Sequence, residues 1–117
     1  MSEHDQPSTW CVVANVAREP HLEGHDGEMR LGTKRFAPGA KLYCFPVSWG
    51  DGGERLMVYG RHRGGTRLIT AIVATKWLTG WRAKRVFKPE IVARMKPHWG
   101  DSDEARDRAE KTARRFD

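Results

Sequence analysis

Acidic residues are nearly missing from the middle of this chain. Between residues 61 and 96, Glu90 stands alone against ten Lys/Arg, a local charge of +9. Residues 1–60 hold six Lys/Arg and eight Asp/Glu (−2), and residues 97–117 hold five and six (−1), so the net +6 arises in one third of the chain. A one-signed stretch of this kind favours acidic partners. Long apolar runs are lacking too. None approaches the roughly 20 residues a membrane span needs, and mean hydropathy is −0.70, so no membrane partner is expected. The N-terminus, Met1-Ser-Glu-His-Asp-Gln-Pro7, is acidic and polar where a secretory leader is basic and then apolar. A cytoplasmic location is expected.

Cysteine is scarce. Cys11 and Cys44 sit in apolar runs without CxxC spacing or a neighbouring His, which predicts small buried hydrophobes. No cofactor is indicated. Gly60-Arg-His-Arg-Gly-Gly-Thr-Arg67 lacks the Gly-Lys-Ser/Thr ending of a nucleotide-binding P-loop. His21-Leu-Glu-Gly-His25-Asp26-Gly-Glu28 has ligand types that zinc accepts. It reads as a polar loop because Gly24 interrupts it and the His-Glu-x-x-His order is missing. No metal site is expected, nor a catalytic constellation: Ser48 has no nucleophile-elbow pattern around it, and the chain is not expected to be an enzyme.

What the chain does have is a run of strand signals. Lys41–Val47 is apolar with aromatic and β-branched residues, and Asp51-Gly52 then supplies a dipeptide suited to a tight turn. Glu54–Arg63 alternates Leu56/Val58 against Met57/Tyr59, Gly64-Gly65 reads as a two-residue hairpin loop, and Thr66–Ala74 returns. Upstream, Trp10–Ala17 is a first, buried strand whose Asn15 needs hydrogen-bond partners if it points inward. Residues 18–40 are a long, Gly- and Pro-punctuated loop. Downstream come a 3₁₀ turn over Thr75–Gly80, a last strand over Trp81–Phe87, and a short helix with Pro89 at its first position, stopped by Pro97. A final helix opens at Asp101 with Asp-x-x-Glu104 resembling a capping box. Its apolar marks, Ala105, Ala109, Ala113 and Phe116, form a thin stripe, so a solvated helix is expected. The expectation is a mainly β protein with a loose arm at 1–9, a domain over 10–96 and a charged helix over 97–117.

Strand, long loop, three-stranded meander, 3₁₀ turn and strand, from Trp10 to Lys88, resembles the order of SH3-like barrels. Phe36-Ala-Pro-Gly-Ala-Lys-Leu-Tyr-Cys44 is similar to the turn-then-strand opening of such barrels. The resemblance implies a small antiparallel barrel of about five strands. Proline-rich ligands are not implied, because the Ala-Leu-Tyr-Asp-Tyr-like segment and paired Trp of peptide-binding SH3 domains are missing. The whole chain also resembles a group of uncharacterised small bacterial proteins through Gly32-Thr-Lys-Arg-Phe36, Trp49-Gly-Asp-Gly52, Gly60-Arg61 and Trp81-Arg-Ala-Lys84. That likeness implies a bacterial origin and supplies no mechanism.

Two functional readings follow. In the first, a non-catalytic module binds nucleic acid through its 61–85 surface. Arg61, His62, Arg63 and Arg67 gather at a hairpin tip, where guanidinium forks and glycine N–H groups suit phosphate oxygens. Lys76, Trp77, Arg82 and Lys84 interleave bases with an indole, the composition that binds single strands by stacking and charge. In the second reading the protein is an interaction module (immunity, adaptor or regulatory subunit), using the 18–40 loop with Arg30, Lys34 and Arg35, together with Trp49, against an acidic protein face.

Overall fold

A computed structural model describes residues 6–17, 35–47 and 55–117. Five strands form one antiparallel sheet: β1 (Thr9–Val16), β2 (Lys41–Cys44), β3 (Arg55–Arg61), β4 (Leu68–Ala74) and β5 (Leu78–Val86), ordered β4-β3-β2-β1-β5. A 3₁₀ turn, Thr75–Trp77, joins β4 to β5, and two helices follow, α1 (Pro89–Met95) and α2 (Asp103–Phe116).

Register sorts the strand residues onto two faces, since paired residues share a face and neighbours alternate. Val12 faces Cys44, Ala14 faces Leu42, Cys44 faces Val58, Val58 faces Ala71, and Leu56 faces Val73. These make a buried inner face. Val13 faces both Tyr43 and Arg82, Cys11 faces Lys84, Tyr43 faces Tyr59, Tyr59 faces Thr70, and Met57 faces Ile72. These make an outer face.

The sheet curls. Ala74 and Leu78 belong to strands on opposite edges, yet only Thr75–Trp77 lies between them. Four residue steps reach at most about 14 Å, whereas four interstrand spacings of about 4.8 Å would hold the edges of a flat sheet about 19 Å apart. The edges approach without pairing, so the sheet is open between β4 and β5.

Gly60 shows how tightly the inner face closes. A Cβ there would stand 2.5 Å from Leu42 Cδ2 and 3.4 Å from Phe36 Cε1, so the missing side chain makes room for two fully buried ones. Gly80 has φ +68 where the β1–β5 register shifts, an irregularity opposite Ala14. β2 is short, and the turn between the helices takes over beyond its end. Gly100 accepts from Trp10 N at 2.8 Å and from Thr9 Oγ1 at 3.1 Å, and Trp99 Nε1 donates to Cys44 O at 2.9 Å.

α1 begins with Pro at its first turn and buries Ile91, Val92 and Met95. It lies toward the outer face. Arg94 donates to Thr70 Oγ1 at 3.0 Å and stands over the rings of Phe45 and Tyr59, while the helix touches β1. Cys11 and Val13, although on the outer face, are buried.

Several expectations need correction. α2 is not solvated all round: Ala105, Ala109 and Ala113 are buried, the helix packs on β1 and β5, and Phe116 stacks on Trp81 at 4.7 Å. Small residues on that stripe let the helix axis come close to the sheet, so a stripe that looks thin by side-chain size is an intimate contact. Its N-cap is Ser102, whose Oγ accepts from Ala105 N at 3.1 Å, rather than Asp101. On its outward side Arg106 pairs with Glu110 at 3.0 Å, and Arg108 donates to Trp99 O at 2.7 Å. Ser8 and Thr9, assigned to the arm from the sequence, are buried, and β1 starts at Thr9. The Gly64-Gly65 hairpin is wider than two residues. His62 N bonds Arg67 O, Gly65 N bonds His62 O, and positive φ is needed at Gly64 alone. Residues 1–5, 18–34 and 48–54, with Asp51-Gly52 and the His21–Glu28 segment, lie outside the described residues.

Candidate nucleic-acid interface

The five strands carry six cations, Lys41, Arg55, Arg61, Arg82, Lys84 and Arg85, and no Asp or Glu. Register puts five of them on the outer face. Arg82 and Lys84 pair with Val13 and Cys11, Lys41 pairs with Asn15, and Arg55 and Arg61 share the side of β3 that carries Met57 and Tyr59. All five are exposed. Continuing the β2–β3 register past Tyr43–Tyr59 sets Lys41 opposite Arg61. One row therefore runs Thr70, Tyr59, Tyr43, Val13, Arg82 across the sheet, with cations in the rows on either side.

Arg82 is held in place. One terminal nitrogen donates to Asn15 Oδ1 at 2.8 Å and to Gly80 O at 2.7 Å, and Asn15 Nδ2 in turn donates to Gly39 O at 3.1 Å. This chain answers the need of Asn15 for partners and fixes the guanidinium before any ligand arrives. Tyr43, half-buried, lies among Lys41, Arg82, Lys84 and Lys88. The Lys41 ammonium stands 5.6 Å over its ring, and burial raises the phenol pKa above its ordinary value, with Cys11 adding to the rise and Lys84, Lys88 and Arg82 opposing it.

The residues singled out in the sequence divide. Arg82 and Lys84 meet on the outer face, and Arg61 joins them from β3. His62, Arg63 and Arg67 are exposed at the β3–β4 turn, where Arg63 N donates to Arg35 O at 2.7 Å, so Arg35 and the hairpin cations share one end of the sheet. The glycine backbone there is less open to an anion than expected, because Gly65 N closes the turn on His62 O. Lys76 is exposed, but Trp77 is 3% exposed and belongs to the core cluster. Its carbonyl accepts from Ala17 N at 2.8 Å and Lys76 lies over the ring. Trp77 cannot offer a face to a base. Trp81 is buried as well, under Phe116. The interleaving of indoles and cations thus resolves into indoles inward and cations outward. Trp49, Arg30 and Lys34 lie outside the described residues.

Lys41, Tyr43 and Lys88 escaped the sequence reading. Their signal was present: Lys41 and Tyr43 alternate with Leu42 and Cys44, which marks them as one outward face.

Burial pushes the Cys11 thiol up to about 12, although Lys84 and Lys41 pull the other way, and pushes Cys44 up further. Neither is a thiolate nucleophile near neutrality. Among the described residues no group of three or more His, Cys, Asp or Glu is placed to hold a metal ion, and no helix is long and apolar enough to cross a membrane. Comparison with protein-family models, curated proteins and solved structures gave no match.

Proposed function

We propose that the protein is a non-catalytic nucleic-acid-binding module of the cell interior, built as an SH3-like barrel left open between β4 and β5. The strand order, the curl forced by a three-residue link into β5 and the 3₁₀ turn in that link support the barrel reading. The observation that carries the function is the outer face: five exposed cations on strands without a single carboxylate. A surface so arranged attracts a polyanion at long range and neutralises its phosphates on contact.

Salt titration of binding to a fluorescent single-stranded oligonucleotide tests it. Affinity falls with salt by a log–log slope of roughly 0.7 per phosphate contacted. The double variant Arg61→Ala/Lys84→Ala flattens the slope by about 1.4 with thermal stability nearly unchanged, because exposed charges contribute little to folding. No binding to RNA or DNA at low salt overturns the proposal.

A second reading has one observation in its favour. Met57 and Ile72, 43% and 60% exposed, are direct cross-strand partners on the same outer face. An apolar pair beside cations suits an acidic protein partner, reached also by Arg35 at the hairpin end. A stoichiometric protein recovered from the native host, free of nucleic acid, favours this reading.

A further inference from the structure

Taking the nucleic-acid reading as its basis, we infer that the ligand is a single strand and that Tyr43 is the platform on which one of its bases stacks. Three observations lead there. First, the two indoles of the basic segment are core, so any stacking on this face falls to another ring. The outer-face candidates are Tyr43 and Tyr59, directly opposite one another. Tyr59 is covered by Arg94, whose guanidinium is anchored on Thr70 Oγ1. Tyr43, half-buried with part of its side chain packed against the core, carries over its ring the ammonium of an exposed lysine, Lys41 at 5.6 Å. An exposed lysine can leave the ring for a ligand, whereas the anchored Arg94 holds its place over Tyr59.

Second, the surroundings match a nucleotide rather than a bare anion. Register places Arg82 two strands from Tyr43 through Val13, about 10 Å across the sheet, with Lys84 one row away on the same strand. A base on the Tyr43 ring leaves its phosphates within reach of these two and of Lys88. The Lys41 ammonium, displaced from the ring, has a phosphate to meet instead. Arg82 waits in a fixed orientation, so little side-chain freedom is lost on binding.

Third, the sheet is curled and Tyr43, in the central row of this face, is half-buried. The helix on this side, α1, is seven residues long and packed down through Ile91, Val92 and Met95, so it is not free to enter a major groove, and duplex bases are stacked on each other and closed to a flat ring. Unpaired bases are open to it.

Fluorescence anisotropy with a labelled single-stranded oligonucleotide and its duplex, each at fixed low salt, tests the inference. The wild-type protein is expected to prefer the single strand. Tyr43→Ala weakens single-strand binding by about 5- to 150-fold, the range for one stacked base, and removes the preference over duplex. Tyr43→Phe keeps the ring and binds within about twofold of wild type, by the same stacking argument. Tyr43→Leu guards against a folding defect, because it keeps apolar cover for the neighbouring strand without a flat π-face. It is expected to unfold like wild type and to bind like Tyr43→Ala. Equal affinity for duplex and single strand, or Tyr43→Leu binding like wild type, overturns the stacking assignment while leaving a salt-dependent basic surface intact. Absence of binding to either probe overturns the nucleic-acid reading itself.

Discussion

Placing a carboxylate at residue 109 separates a docked α2 from a solvated one. On a solvated helix, Ala109→Asp costs no more than the difference in helix propensity, about 0.5–0.7 kcal/mol. In the structure Ala109 is 0% exposed and sits in the main hydrophobic cluster with Ala113, on a helix lying against β1 and β5. The added carboxyl then either stays ionised in an apolar contact or takes up a proton and remains short of partners. Leaving even a neutral polar group so placed costs roughly 1–3 kcal/mol on mutational scales, and an ionised one more. With overpacking of a close helix–sheet contact at about 1–3 kcal/mol and the propensity loss, the sum is about 3–6 kcal/mol. A small domain has about 5–15 kcal/mol in all, so the variant should lie near the edge of folding. Urea unfolding followed by tryptophan fluorescence reads it, because Trp81 lies beneath Phe116 of the same helix. Asp107→Ala, at an exposed position of α2, serves as the control and should shift stability by less than about 0.5 kcal/mol. A loss below about 1 kcal/mol for Ala109→Asp would refute the docked helix and restore the solvated one.

Gly60→Ala drives a methyl to 2.5 Å from Leu42 Cδ2 and should cost about 1–3 kcal/mol by overpacking, measured as a shift in urea midpoint; a neutral result contradicts the closure of the inner face. Cys11 and Cys44 should be silent to a thiol reagent at pH 8 in native protein and react only on unfolding, and a fast native reaction contradicts their burial. Both thiols keep in the fold a proton that the unfolded chain releases. Their contribution is therefore full below the unfolded pKa of about 8.5 and declines as pH rises from there toward 12, by up to about 1.4 kcal/mol per pH unit for each thiol. Urea midpoints at pH 8 and pH 10 should fall accordingly, and the fall should shrink in Cys11→Ala/Cys44→Ala. Raising sodium chloride from low to moderate concentration should raise the melting temperature while weakening oligonucleotide binding; a melting temperature that drops contradicts the picture of uncompensated cations.

The strands were legible because the period-2 signal of Leu56/Val58 against Met57/Tyr59 directly records one buried and one open face. The Pro89 helix start was legible from local chemistry, as was the presence of a 3₁₀ turn, although the turn ends at Trp77 and residues 78–80, expected in it, belong to β5. The docking of α2 was not, because alanine carries almost no hydrophobic signal of its own and its burial depends on how closely a distant sheet approaches. The fate of Trp77 was not legible either. An indole beside a lysine reads the same whether it stacks on a ligand or closes a curled sheet, and the short link between opposite edges decides it. Arg82 and Lys84 were found from charge interleaved with indoles, but their neighbours Lys41 and Tyr43 come from a strand some forty residues earlier in the chain and meet them only through β1.

The charge on the outer face is not explained by stability. Lys41 beside Arg61, and Arg82 two residues from Lys84, set like charges together on one sheet, an arrangement that destabilises a fold by mutual repulsion. A polar surface does not require it, since α2 is polar with both signs, Arg106 being paired to Glu110. The inner face, by contrast, serves folding throughout: Gly60 yields to Leu42 and Phe36, and Trp77 and Trp81 are spent on the core. A surface that costs stability, lacks carboxylates and holds one of its arginines in a fixed pose through Asn15 and Gly39 is the arrangement expected where an anionic partner supplies the missing charge. The two responses to salt follow from that one cause. Counterions relieve the repulsion that strains the free fold, and the same counterions compete with the phosphates that would relieve it in the complex.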